Sequence, residues 1–184
     1  MTTDPLQRSL QTLAEQSAFT RAVAIFLAND LIVVMGLAFL VLAGRALMVR
    51  GVPDRAGVVR LGLTLVAAYL ASKVLSGIIV DPRPYVVQHI QPMVHVAHDN
   101  GFPSDHTLLA ASLAAMLWWV DRRAILYLAS AVVLVMIGRL GIAAHHTIDV
   151  LGSTAIVVVA ALAAAALPLP ASLDRPILPP RTAA

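Results

Sequence analysis

The sequence predicts an all-α integral membrane protein, a bundle of five or six transmembrane helices preceded by an interfacial helix. Three observations predict it. First, 59% of the 184 residues are hydrophobic and only 12% charged, with a mean hydropathy of +0.84, which is more apolar surface than a water-soluble domain of this size can bury. Second, apolar runs recur near the roughly 20 residues that a hydrocarbon core about 30 Å thick requires. Third, the basic residues between those runs fall unequally on two faces.

The elements follow in order along a single domain, 1–184. The leader, residues 1–21, contains PLQRSLQTLAEQSAF, in which Leu6, Leu10, Leu13, Ala14 and Ala18 recur at helical spacing. That spacing predicts an amphipathic helix on the bilayer surface, although Ser17 interrupts the stripe and Phe19 falls off it. The membrane core, residues 22–167, holds five apolar runs: Ala22 to Leu47, Gly57 to Val80, Thr107 to Val120, Ala124 to Ile137 and Ile148 to Leu167. The third and fourth are short and need a further turn from their polar flanks, as happens where a helix end lines a polar cavity. The first is too long for a cleavable signal peptide and follows a polar leader. The tail, 168–184, is Pro-rich and expected to be disordered. There is no cysteine, so thiol chemistry is excluded.

If five helices alternate, one face holds Arg45, Arg50, Arg55, Arg60, Arg122, Arg123, Arg175 and Arg181. The positive-inside rule makes that face cytoplasmic. The opposite face holds Arg8, Arg21, Arg83 and Arg139, with Lys73 near it, and carries all six histidines: His89, His95, His98, His106, His145 and His146.

Three polar clusters lie on this sparser face, each at a helix end. In SKVLSGIIVDPRPY, Pro82 and Pro84 stop the helix and hold Arg83 in an extended segment, while Lys73 sits one to two turns inside the apolar run. An ionisable residue at that depth either snorkels outward or faces a polar cavity. In GFPSDHT, Ser104 suits the N-cap of the third helix and Asp105 its first turn. His106 has no such structural explanation, and the same helix end is a ready anion site. In GRLGIAAHHTIDV, His145 and Asp149 are four apart, so a carboxylate on the same helix face can hold one ring nitrogen and leave the other outward, as an activated nucleophile needs. Fixed positive charge from Arg83, Arg139 and Lys73 beside two histidines suits phosphoryl transfer.

These motifs resemble the type 2 phosphatidic-acid phosphatase superfamily of membrane phosphatases, whose pattern runs K-x6-R-P, P-S-G-H and S-R-x5-H-x3-D. Arg83-Pro84 matches the end of the first motif and Pro103-Ser104-Asp105-His106 the second. Arg139, His145 and Asp149 keep the full spacing of the third. The resemblance implies a metal-independent, two-step hydrolysis without a cofactor. His145 would form a phosphohistidine, Asp149 would orient it, His106 would protonate the leaving group and then activate water, and Arg83, Arg139 and Ser104 would bind phosphate. Asp105 stands where glycine is usual, a variant associated with the bacterial undecaprenyl diphosphate phosphatases. Gly138 stands for the motif serine. Ser76 occupies the motif lysine position, with Lys73 about one turn earlier as its replacement.

The expected substrate is a lipid phosphate held in the bilayer, with polyprenyl diphosphate favoured over phosphatidic acid or phosphatidylglycerol phosphate. The expected location is the bacterial inner membrane, with the site facing outward and no nucleic-acid partner. Because a negative charge repels phosphate, the Asp105 carboxylate is expected to point away from the pocket. The competing class is a zinc-binding or zinc-transport protein using His89, His95, His98, Asp99 and His106, against which the two arginines argue.

Overall fold

The structure, a computed structural model, describes residues 4–50, 54–120 and 122–173, with the backbone alone at 49 and 50; most of the Pro-rich tail, 174–184, lies outside the described residues. Among them the chain is all helical, apart from one isolated bridge between Pro82 and Asn100.

The leader forms α1 (Pro5–Glu15), capped by Asp4. It is separated from α2 (Ala18–Ile25) at Ser17, whose hydroxyl and Thr20 form a reciprocal capping box. Ser17 interrupts the apolar stripe because it starts a new helix. The inward face of α1 is Gln7, Gln11 and Ala14, whereas Leu6 and Leu13 face outward. The polar face turns inward because it meets the end of another helix. The Gln7 amide lies 3.4 Å from the Leu140 carbonyl and 3.0 Å from Gln11 Oε1, while its own oxygen accepts from Gln88 at 2.9 Å. A glutamine there satisfies a terminal carbonyl that the helix itself leaves open.

From Ala18 to Met48 the chain is one apolar helix, made of α2, a π turn (Phe26–Asp30) and α3 (Leu31–Arg50). After Asp54, which caps it, α4 (Arg55–Ile78) runs to the Pro82 and Pro84 stop. A short α5 (Pro84–Val87) opens a long loop, and α6 (Asp105–Val120), α7 (Ile125–Gly141) and α8 (Thr147–Ala166) complete the bundle.

Three helices among the described residues are long and apolar enough to cross a membrane: Ala18–Met48, Arg55–Ile78 and Thr147–Ala166; α7 is a shorter apolar helix. Of the two short runs, α7 gains a turn by reaching Gly141, whereas α6 gains only the two residues from Asp105.

Helix α6 packs against α3, α4, α7 and α8, and α4 lies along α8. Its inner positions are small, Ala110, Ala111 and Ala114, which lets neighbouring backbones approach; Leu117, Leu128, Val132, Val135 and Val157 fill the space between. Bulky apolar side chains such as Leu40, Val41, Val74, Leu126 and Val159 point outward. Only 11% of the apolar window of Ala18–Met48 is buried inside the protein, so core packing does not account for its hydropathy.

Candidate active site

At one end of the bundle the loops 79–83, 88–104 and 142–146 enclose a cavity of about 350 Å³ whose polar wall is Asn29, Arg83, His95, Asp99, Asp105, His106, Arg139 and His145. The first loop is positioned by Asn100. Its carbonyl oxygen accepts the Asp81 N–H at 2.8 Å, and its amide lies 2.7 Å from the Ile79 carbonyl and 3.0 Å from those of Ser76 and Phe102. That one side chain ties the open end of α4 to the approach to α6.

Arg83 leaves this tie buried, with its guanidinium bonded on two sides. Nε and Nη2 donate to Asp99 Oδ1 at 3.0 and 2.7 Å, and Nη1 donates to the Ala144 carbonyl at 3.1 Å. Burial pushes the Asp99 carboxyl up, but the hydrogen bonds and charge of Arg83 outweigh it and hold it below its ordinary value. The loop that carries Asp99 is pinned by the buried Tyr85, whose hydroxyl donates to the Ala97 carbonyl at 3.0 Å.

Arg139 comes from the last turn of α7 and is buried. Its Nη1 donates to Asn29 Oδ1 at 3.1 Å, and its Nε has no acceptor among the described residues. Asn29 reaches it because the π turn packs directly on Gly138, where a Cβ would stand 2.4 Å from the Ala28 nitrogen and 2.6 Å from the Leu27 carbonyl carbon. A serine at this position would displace the turn. The departure from the motif removes one hydroxyl, and the same contact brings in the amide of Asn29. Extra-residue turns of this kind re-aim side chains at functional sites.

His145 is almost fully buried at the centre. Its Nδ1 lies 2.9 Å from the Gly101 carbonyl and 3.5 Å from Asp149 Oδ2, so Nδ1 carries the proton and the Gly101 carbonyl is its nearer acceptor. Its Nε2 lies 3.1 Å from Arg83 Nη1 and 3.3 Å from Arg139 Nη2, both permanent donors, which leaves Nε2 as the acceptor. Burial first, then the charges of Arg139 and Arg83, hold this imidazole well below its usual value.

The His145 and Asp149 pair does not lie on one helix face, as the spacing suggested. Helix α8 begins only at Thr147, and Asp149 folds back to accept the His146 N–H at 2.8 Å. Gly101 leaves room for this approach, since a Cβ there would stand 3.1 Å from Asp149 Oδ2 and 2.8 Å from the Asp81 carbonyl oxygen. On the far side of Asp149 lies Asp81, which burial and the Asp149 charge push up, with His146 Nδ1 3.2 Å from its Oδ2.

The structure thus brings Arg83, His106, Arg139 and His145 to one cavity, with Asp149 behind His145. Three residues sit elsewhere than expected. Ser104 is fully buried and its hydroxyl accepts from Thr107 Oγ1 at 3.1 Å, so it caps α6 and does not line the cavity. Lys73 is on the exposed face of α4, its Nζ 5.6 Å from the Tyr69 ring centre; a lysine on that face reaches the interface more cheaply than the bundle interior. Asp105, expected to point away, lines the cavity with both arginines. Two buried guanidinium groups are a sufficient reason for a carboxylate to turn towards them.

The loop histidines do not gather. His98 packs edge-on against Tyr85, with ring centres 5.4 Å apart, and only His95 reaches the cavity wall. Among the described residues, the group of three potential metal ligands with donor atoms within 4.8 Å of one another is Asp81, His146 and Asp149.

Asn29, Gly101 and Asn100 were not read from the sequence. The polar pair Asn29-Asp30 inside an otherwise apolar run was the available signal for the first.

The whole site falls within residues 57–171 except for Asn29, and over those residues the sequence matches the profile of the PAP2 superfamily. The chain belongs to that family. A PAP2 relative, undecaprenyl-diphosphatase BcrC of Bacillus subtilis (strain 168), is 26% identical over 106 residues. The match covers 58% of this chain and 55% of that protein, so the chain spans about half the length of this curated relative. The crystal structure of Aquifex aeolicus LpxE shares the fold, with a TM-score of 0.66 over 90% of this chain and 99% of that one, at 17% identity.

Proposed function

We propose that the protein is a membrane lipid phosphatase that hydrolyses a lipid phosphate or diphosphate through a phosphohistidine on His145. The observation that carries the reading is the environment of Nε2, an unprotonated nitrogen facing a cavity with a guanidinium N–H on either side at 3.1 and 3.3 Å.

In the first step the Nε2 lone pair attacks phosphorus as the bond to the leaving oxygen breaks, and that oxygen takes a proton from His106. Arg83 and Arg139 move from Nε2 to the equatorial phosphoryl oxygens, where charge builds. In the second step His106 accepts a proton from water, whose oxygen attacks phosphorus, and the P–N bond breaks to restore His145. The Gly101 carbonyl and Asp149 hold the Nδ1 proton throughout. The two guanidinium groups supply the positive charge, so the reaction is metal-independent and uses no cofactor.

The substrate is polyprenyl (undecaprenyl) diphosphate, cut to the monophosphate. The similarity to undecaprenyl-diphosphatase BcrC supports this choice, as does a cavity at the helix ends, where a head group is received while its tail stays in the bilayer. The α2–α3 unit, α4 and α8, with the shorter α6 and α7, span the bilayer, α1 lies at its surface on Leu6 and Leu13, and the arginine distribution turns the cavity to the extracytoplasmic side of the bacterial inner membrane.

The test is phosphate release from a panel comprising polyprenyl diphosphate, phosphatidic acid and phosphatidylglycerol phosphate, in detergent containing EDTA. Preferential turnover of the diphosphate is expected. Activity that disappears with chelator and returns with zinc would overturn the mechanism.

A further inference from the structure

At the opposite end of the bundle from His145 lies a second cavity, of about 530 Å³, that the chemistry above does not use. Arg60 at the start of α4, Arg122 and Arg123 in the turn between α6 and α7, and both indoles, Trp118 and Trp119, line it. Arg122 stacks on Trp118 with its guanidinium carbon 4.7 Å from the ring centre, and Arg60 lies 5.8 Å over Trp119. Stacking holds each guanidinium flat against a ring and leaves its edge to hydrogen bonds, of which Arg60 Nη2 makes one, to the Leu167 carbonyl at 3.4 Å. Arg60 Nε and Trp119 Nε1 are buried donors with no acceptor among the described residues. The one acidic residue of the described lining is Asp54, whose Oδ1 is already taken by the Gly57 N–H at 2.6 Å. Arg60 and Arg122 on their rings, together with two buried donors that have no acceptor among the described residues, call for an anion with several acceptor oxygens.

Trp118 also closes the end of an apolar groove of about 390 Å³ between α6, α7 and α8, lined by residues such as Ala114, Val132, Val158 and Ala161. Along α8 the groove runs from Thr154 to Ala165, about 16 Å at the helical rise. A cationic cavity joined through one indole to a long apolar groove matches one molecule, a phosphate-bearing head group with an alkyl chain.

We propose that this end of the bundle is a binding site for an anionic phospholipid, its phosphate among Arg60, Arg122 and Trp119 and one acyl chain along the α6–α7–α8 groove. The groove favours a lipid over free phosphate, and a basic cavity at a helix-bundle end is suited to an anionic head group. The site stands independently of the reaction assigned to the other end.

The chain contains only two tryptophans, and both line this cavity, so its intrinsic fluorescence reports on the site. The full chain, in phosphatidylcholine nanodiscs, would receive increasing fractions of phosphatidylglycerol with brominated acyl chains, and in parallel brominated phosphatidylcholine. Quenching should saturate with phosphatidylglycerol at about a fivefold lower mole fraction for each arginine engaged. R60Q and R122Q should each remove about that factor, while R45Q, an exposed arginine at the same end, should keep the preference; circular dichroism confirms that each variant is folded. Equal quenching by the two lipids, displacement by millimolar inorganic phosphate, or a loss in R45Q matching that in R122Q would overturn the proposal.

Discussion

The proton on His145 Nδ1 is held at 2.9 Å by the backbone carbonyl of Gly101, with the Asp149 carboxylate farther off at 3.5 Å. The tautomer is therefore set by main chain as well as by a carboxylate, and this changes what a mutation at Asp149 should do. Where a carboxylate is the sole orienter, as in a serine protease triad, its replacement by Asn costs about 10⁴-fold in kcat. Here Asp149→Asn should cost about 10²-fold, because the carbonyl still fixes the ring, whereas His145→Ala should abolish turnover. Comparison of kcat for the two variants checks this; equal losses would mean that the carbonyl contributes nothing.

Gly138 should resist restoration of the motif serine. A Cβ there meets the backbone of Leu27 and Ala28, so Gly138→Ser should lower stability by about 3 kcal/mol, the upper end for overpacking, and lower activity with it. Asn29→Ala leaves the packing but removes an acceptor from Arg139, and should raise KM by about tenfold, one hydrogen bond to a charged group. Thermal unfolding in detergent separates the two effects.

His145 has a depressed folded value, so the unfolded chain takes up the proton first as pH falls. Its contribution to stability is complete above its ordinary value of 6.5 and declines as pH drops below it. His145→Gln removes this titration. Between pH 6.5 and about pH 5 the variant should lose less stability than the parent protein. Parallel stability curves would show that His145 does not titrate in this way.

Lys73 faces outward beside Tyr69, and Lys73→Ala should keep kcat/KM within about threefold of the parent. A loss of about 10²-fold or more would put Lys73 in the phosphate site after all.

Topology is testable because the chain has no cysteine. A single cysteine at Gln91, on the loop that also carries His95 and Asp99 of the cavity wall, should react with a membrane-impermeant maleimide in intact cells, and one at Arg122 should react only after permeabilisation. The opposite pattern would place the chemistry in the cytoplasm.

The helices were legible because hydropathy over a run of about 20 residues needs no partner to be read. The clusters at their ends were legible because Arg83, His106, Arg139 and His145 are ionisable residues in a chain with few of them, and the family resemblance gave them roles. Side-chain direction was harder to read. Lys73 lies one turn from the motif lysine position, yet its side chain follows the exposed face of α4. The sequence predicts an Asp105 repelled from phosphate, whereas in the folded protein it lines the same cavity as Arg83 and Arg139.

By itself, then, the sequence determined the all-helical bundle, the three motif segments and the arginine-rich end, all of which depend on composition or on residues close in the chain. The tertiary structure decided what depends on distant approach. Asn29 meets Arg139 across 110 residues because Gly138 lets a π turn in, and a backbone carbonyl at Gly101 meets His145 across 44. A glycine that leaves space and a carbonyl that accepts a proton carry no side-chain signature, so their roles exist only once the helices have packed.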